Sequence, residues 1–209
     1  EEAGTTPEGL TIQKDGSIKE LTNPGIKNLK KAVKEFTEKL EGDWSVYVKD
    51  LKSGEKFSIN DKAMSSASLI KAFTMAASYD NMEKIRMVEG MLLKADPASQ
   101  TVADKLFRLM ENMVTYSDNE SFNEMVRLQT ASNQFNAGAR VINRYLREQG
   151  YKETAVLHTL APSNTDSEGL GSSNMTSVED CGTLLEKIYR RECVSQEDSE
   201  QMLSLLLNQ

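Results

Sequence analysis

Ala67-Ser68-Leu69-Ile70-Lys71-Ala72-Phe73-Thr74-Met75-Ala76-Ala77 is the stretch on which the reading of this chain turns. It is apolar around its whole circumference, interrupted only by small residues and one lysine. Ser68 and Lys71 stand three apart, so on a helix the hydroxyl and the amine share one face, a single turn from each other. Ser68 falls at the predicted helix start, where the helix dipole favours developing negative charge and its own N–H can face an oxyanion. The apolar run after Lys71 disfavours a charged ammonium, so the amine is expected to have a depressed pKa and to serve as a base. Ser-x-x-Lys alone is weak, because average residue usage yields it about once by chance in a chain of this size. Ser53-Gly54-Glu55-Lys56 is a second copy, but it reads as a hairpin turn with no helix to align the pair.

Working outward, Ile26, Leu29, Val33, Phe36 and Leu40 recur at helical spacing and Gly42 closes the element. Trp44 to Lys49 alternates as a half-buried strand, Lys52 to Glu55 turns, and Lys56 to Asn60 returns, giving a helix and a β-hairpin. From Ala67 onward the pattern is helical. Ser68 to Met82 is predicted as one helix. Val102, Leu106, Leu109 and Met113 form a stripe that ends near Tyr116, and a fresh helix begins at Asp118. Another, carrying Val141, Ile142, Tyr145 and Leu146, stops at Gly150. Thr159 to Met175 is a Ser/Asn/Gly/Pro-rich loop long enough to suspect function. Thr176-Ser177-Val178-Glu179 has the form of a capping box, and Val194 to Gln209 supplies the last helix. The fold class expected is α+β. Residues 1–24 read as a polar tail or tether and 25–209 as one domain, with a helix and hairpin over 25–66 and a mainly helical part over 67–209. Two strands alone make a marginal sheet, so further strands are expected.

Ser117-Asp118-Asn119 gives the stretch around Ser68 its partner. It sits between two predicted helices, where a hydroxyl and an amide can project into a cleft. Read alone it is a helix N-cap; with Ser68 and Lys71, in this order and with Ser117 49 residues after Ser68, the N-cap reading gives way to a functional one. His158, the single histidine, is either a member of a Ser-His-Asp arrangement or a strand-end residue. With one histidine and no paired ligand pattern, neither a metal nor any other cofactor is expected. Cys181 and Cys193 lie twelve residues apart along a predicted helix, roughly 18 Å, too far for a disulfide, which needs Cα atoms within about 7 Å.

The net charge of -7 excludes a basic nucleic-acid-binding face. Mean hydropathy is -0.51 and no apolar run reaches the length of a membrane span. The chain opens on Glu1, not Met, without a leader pattern of its own, so any signal peptide is expected to lie outside it.

Ala67-Ser68-Leu69-Ile70-Lys71, Lys49-Asp50-Leu51 and Thr115-Tyr116-Ser117-Asp118-Asn119 together resemble the class A β-lactamases and related penicillin-recognising serine hydrolases. The resemblance runs from about Ile26 to Gln209. It implies a helical subdomain packed on an antiparallel sheet, with the C-terminal strands and helix missing from this chain. It also implies that Ser68 is acylated by an amide or β-lactam, that Lys71 moves the proton, and that Ser117 passes it to the leaving nitrogen. Asn119 and Tyr116 would contact substrate, and Asp118 would hold the loop. The substrate class is a small-molecule or peptidoglycan-like acyl donor. The setting is extracytoplasmic, secreted or surface-tethered, with the signal peptide outside this chain. Two departures qualify this. The family's Lys-Thr-Gly would fall beyond Gln209, so a C-terminal remainder of the domain is expected. The loop reads Ser163-Asn164-Thr165-Asp166-Ser167-Glu168-Gly169-Leu170-Gly171 in place of Glu-x-x-Leu-Asn. Glu168 is its only glutamate, and is either the deacylation base or a solvated loop acid. Three readings follow: a β-lactamase-like acyl-hydrolase, a D-Ala-D-Ala peptidase, transpeptidase or esterase with slow deacylation, and a non-catalytic binding protein that keeps the fold.

Overall fold

The computed structural model describes residues 10–12, 18–20, 25–160 and 168–209. It divides into two compact units, Glu1–Asn60 and Asp61–Gln209. Most of residues 1–24, read as a tail, and residues 161–167 of the long loop lie outside the described residues.

In the first unit, β1 (Leu10–Ile12) pairs antiparallel with β2 (Ile18–Glu20). The helix α1 (Gly25–Thr37) follows, and carries the expected apolar stripe, yet none of its residues is buried and Phe36 is 63% exposed. β3 (Val46–Lys49) and β4 (Lys56–Ile59) form the predicted hairpin, in register Val46 to Ile59 and Val48 to Phe57. Asp50 shapes its turn by accepting from the Lys52 N–H at 2.8 Å and the Ser53 hydroxyl at 2.8 Å, and Gly54 supplies the positive φ of 78°. The strand starts at Val46, not Trp44, because the Trp44 indole turns back to the Glu41 carbonyl at 3.0 Å.

The second unit begins with β5 (Met64–Ser65), which pairs antiparallel with β6 (Met175–Thr176) far along the chain. A single 3-10 turn over Ala67–Leu69 leads into α2 (Ile70–Asp80). Ile70, Phe73, Met75, Ala76 and Ala77 are all within 2% of complete burial, so α2 is the helix around which the others assemble. At about 1.5–3 kcal/mol for each fully buried large apolar side chain, this is where the unit gains its stability. The helix expected to continue to Met82 stops at Asp80. Asn81 leaves helical geometry (φ -102°) and donates its side-chain amide to the Gln129 carbonyl and Gln129 Oε1, so α3 (Met82–Leu93) sets off separately.

Helices α4 (Gln100–Val114), α5 (Asn119–Arg127) and α6 (Phe135–Glu148) pack around α2 through the predicted stripes. The described residues between α6 and β6, 149–160 and 168–174, have little sheet to pair with. Side chains do the pairing instead. Asn143 donates to the Val156 carbonyl at 2.8 Å and accepts from its N–H at 2.7 Å. Asn123 holds Leu160 in the same two-way manner, and Asn174 holds Leu157 and His158. Asp180 accepts from the N–H groups of Lys152 and Glu153 and from the Thr154 hydroxyl.

That use of Asp180 also corrects the expected capping box. The cap of α7 (Val178–Tyr189) is Ser177, not Thr176, and the third helical residue, Asp180, spends its carboxylate on 152–154. In α8 (Gln196–Leu207), Met202 and Leu205 are buried while Leu207 is 75% exposed. Both cysteines are free thiols. No helix among the described residues is long and apolar enough to cross a membrane. The whole is the α+β arrangement expected, helices dominating after Ala67 and antiparallel ladders of two strands each.

The tightest backbone approach lies where α6 crosses α5. A Cβ on Gly138 would stand 1.7 Å from the Val126 carbonyl oxygen. Helix propensity says Gly138→Ala should stabilise by about 1 kcal/mol; the clash with fixed backbone says it should destabilise by about 2 kcal/mol or more. The clash is expected to win, and the sign is read directly from chemical denaturation of the two proteins.

Candidate active site

The position of Ser68 is set from both sides. Upstream, the Ser66 N–H donates to the Asn174 carbonyl at 2.9 Å and Ser65 pairs with Met175, so the β5–β6 ladder holds the approaching chain. Downstream, Ile70 is completely buried. Between them Ala67 takes a left-handed backbone (φ 44°), unusual for a residue with a Cβ. Ser68 is left exposed in the 3-10 turn just before α2, not in its first turn as expected.

Lys71, the second residue of α2, is only 3% exposed. Its amine lies 3.4 Å from Ser68 Oγ, 3.0 Å from Ser117 Oγ and 2.7 Å from Asn119 Oδ1, and it also donates to the Ser117 carbonyl. Two of these four partners are carbonyl oxygens, which only accept. A neutral amine satisfies both with its two N–H groups and keeps its lone pair for a hydroxyl. Burial pushes the Lys71 pKa below its usual 10.5, against the nearby Asp118 carboxylate, which pulls it up. Desolvation wins, which favours the neutral form.

The loop that meets Lys71 is built by the end of α4 and the start of α5. The Asp118 N–H donates to the Asn112 carbonyl at 2.9 Å, closing the turn. The Asp118 carboxylate caps α5 through the Ser121 N–H at 2.6 Å, and these bonds with Ser121 hold its pKa below the usual 3.8. Asp118 is thus an N-cap, and the cap leaves its neighbours Ser117 and Asn119 turned toward Lys71. Ser117 is held left-handed at φ 56°.

Ser68, Lys71, Tyr116 and Ser117 line one side of a cavity of about 640 Å³, whose other walls include Phe73, Met113, Leu184 and Leu206. Tyr116 is 70% exposed at its edge. Glu168 lies outside this cluster. Its carboxylate pairs with Arg127 at 3.0 Å, and its carbonyl accepts from the Thr159 N–H at 3.0 Å. His158 is also elsewhere, its Nδ1 2.8 Å from the Thr159 carbonyl and its backbone bridged to Gly169. The remaining loop residues of interest, Ser163 to Ser167, lie outside the described residues. Among the described residues no three His, Cys, Asp or Glu side chains are grouped to hold a metal ion. The buried amides Asn123, Asn143 and Asn174 escaped sequence reasoning; the one signal for Asn123 and Asn143 was a polar residue at a core-facing helical position, in Phe122-Asn123 and Ile142-Asn143, and Asn174 offered none.

Residues 28–209 match the model of the β-lactamase enzyme family. Among solved structures, the chain is similar to the β-lactamase from Sphaerobacter thermophilus, with 19% identity, a TM-score of 0.56, and 79% of this chain and 63% of that one covered. It is similar to the ancestral GNCA class A β-lactamase at 16% identity and TM-score 0.63, covering 86% and 71% of the two chains. It is also similar to a β-lactamase from Chitinophaga pinensis at 14% identity and TM-score 0.62, covering 87% and 70%. At these identities the likeness is one of fold. No curated protein matches the sequence.

The left-handed Ser117 has a measurable consequence. Ser117→Ala and Ser117→Gly both delete the hydroxyl, but only glycine relieves the backbone, so the glycine variant is expected to be more stable than the alanine variant by about 1 kcal/mol. Equal stabilities by denaturant titration would remove strain from the description of this loop.

Proposed function

The chain belongs to the β-lactamase enzyme family, and on that premise we propose that it is a serine acyl-hydrolase that forms an acyl-enzyme on Ser68. The observation that carries the reading is the Lys71 amine, buried and within reach of the Ser68 and Ser117 hydroxyls at once. In this scheme the Ser68 oxygen attacks the carbonyl of an amide or β-lactam, and its proton passes to the neutral Lys71 amine. The oxyanion of the tetrahedral intermediate draws on the Ser68 N–H. The C–N bond breaks as the Ser117 hydroxyl protonates the leaving nitrogen, and Ser117 recovers its proton from the Lys71 ammonium 3.0 Å away. The products of this half-reaction are the Ser68 ester and an amine, which departs from an amide substrate and stays tethered to the acyl group of a β-lactam. Asn119 orients the Lys71 amine and Tyr116 offers a contact surface for substrate at the cavity edge.

Release of the acyl group needs water and a base. Glu168, ion-paired to Arg127, is neither free nor among the partners of Lys71. This favours a slow second half-reaction, as in a D-Ala-D-Ala peptidase, transpeptidase or esterase acting on a peptidoglycan-like acyl donor, over rapid antibiotic hydrolysis. An extracytoplasmic setting, secreted or surface-tethered, belongs to the same proposal.

A fluorescent penicillin is expected to label the protein covalently, and Ser68→Ala to abolish the label. The labelling rate should fall as the pH drops through a single ionisation below 10.5, because the ammonium cannot accept a proton; that limb should be absent in Lys71→Ala. The same depression means the unfolded chain binds more protons at this site than the folded one, between the lowered pKa and 10.5. Stability should therefore rise with pH across that window. Glu168→Gln should leave the lifetime of the label unchanged; a label lost quickly from the parent and retained by the variant would make Glu168 the base. Failure of every β-lactam and activated ester to acylate Ser68 would favour a non-catalytic binding protein.

A further inference from the structure

Away from its catalytic side, the cavity beside Ser68 is walled by apolar side chains. Cys181, Leu184 and Leu185 enter it from α7, Leu206 from α8, and Met113 and Val114 from the end of α4. Among the described residues that line it, Lys71 is the only acidic or basic one. Two of its polar side chains are spent on backbone: the Thr115 hydroxyl donates to the Leu205 carbonyl at 3.2 Å and the Gln209 amide to the Val114 carbonyl at 2.8 Å. A charged group lodged against α7 and α8 would give up water with no opposite charge on these walls to replace it. At about 640 Å³ the cavity falls in the range of roughly 300–1,000 Å³ that encloses a drug-sized molecule. A second cavity meets the same turn at Ala67 and differs in kind. It holds about 140 Å³, its walls include Ser65, His158, Thr159, Ser172 and Ser173, and Ser68 does not line it.

We propose that the larger cavity is an acyl pocket: the acyl group transferred to Ser68 carries an uncharged, apolar chain or ring that lodges among Met113, Leu184, Leu185 and Leu206. This rests on the acylation of Ser68 proposed above and narrows the donor to an ester, amide or β-lactam whose acid part is apolar. Ser68 borders this cavity and not the polar one, so an acyl carbon bonded to its Oγ starts out at the apolar walls. That bond also selects the occupant. It delivers a substrate group to the cavity and holds it there, whereas a protein segment filling the same space would cover the nucleophile. Leu185 is 52% exposed and Leu69, next to Ser68, 58%. Burying such surface against an apolar group of the substrate is favourable, so acyl chains longer than acetyl gain by entering.

The p-nitrophenyl esters of acetate, butyrate and hexanoate, each well below its micelle concentration, test this through the burst of nitrophenolate. Ser68 Oγ bonds to the acyl carbon as the bond to nitrophenolate breaks, and the Ser68 proton passes to the Lys71 amine. The acylation rate is expected to rise about threefold for each added methylene that is buried, so that hexanoate outruns acetate by about tenfold or more. Leu185→Asp should cut that ratio at least several-fold. Phe107→Glu, at a residue 60% exposed on α4 and outside the cavity, should leave it unchanged. A second measurement uses the parent protein alone. Serine-directed phosphonates with a methyl or a hexyl group form lasting Ser68 adducts. The hexyl adduct should slow alkylation of Cys181 by iodoacetamide several-fold relative to the methyl adduct, with Cys193, 2% exposed, as the internal reference. A rate that is flat or falls with chain length overturns the acyl pocket and leaves acylation of Ser68 standing. So does a ratio unmoved by Leu185→Asp, or moved as much by Phe107→Glu, or equal Cys181 reactivity in the two adducts. Failure of esters, β-lactams and phosphonates alike to react at Ser68 overturns the acyl-enzyme reading itself, and the pocket with it.

Discussion

A lysine nitrogen withdrawn from water must recover its hydrogen bonds from the protein, and Lys71 recovers them from two places. Ser68 lies three residues before it, and Ser117 and Asn119 lie 46 and 48 residues after it. The second place exists only if α4 ends and α5 begins at the right height beside α2. The apolar stripes of those helices, the Asp118 cap and the closing bond from Asp118 to the Asn112 carbonyl all serve that condition. The chemistry then follows. The burial that makes α2 the centre of the unit also lowers the Lys71 pKa. Packing and the lowered Lys71 pKa have one cause.

A second constraint lies in residues 151–160, after α6. Backbone N–H and C=O groups removed from water need partners as much as a lysine does, and this segment has few strand neighbours. Asn143, Asn123 and Asn174 act as single peptide groups borrowed from elsewhere, each offering a donor and an acceptor, and Asp180 adds a fourth anchor at 152–154. Asn123 stands one turn along α5 from Asn119, and Arg127 one turn further, where it holds Glu168. One face of one short helix therefore touches Lys71, Leu160 and Glu168 in succession. The ion pair is also why Glu168, the single glutamate of its loop, is spoken for.

Ser68 and Lys71 were legible because their relation is local: three residues apart, on a chain apolar enough to be helical, their side chains meet whatever surrounds them. The helices from α4 to α8 were legible for the same reason, since their stripes are periodic. Boundaries were less so. Nothing in Ser68 to Met82 announces the break at Asn81, which depends on Gln129 48 residues away. Thr176 looked as good a cap as Ser177, and the choice fell on the residue whose third successor was needed by 152–154.

By itself, the sequence determined which residues can do chemistry and which faces must be buried, because rotamer reach and helical period are properties of a short stretch. Tertiary structure decided the rest. It brought Ser117 and Asn119 to Lys71, forced Ser117 and Ala67 into left-handed backbone, paired Glu168 with Arg127, and turned His158 onto the Thr159 carbonyl. Each of these depends on where a distant segment comes to rest, and that is set by how the whole set of apolar faces packs around α2.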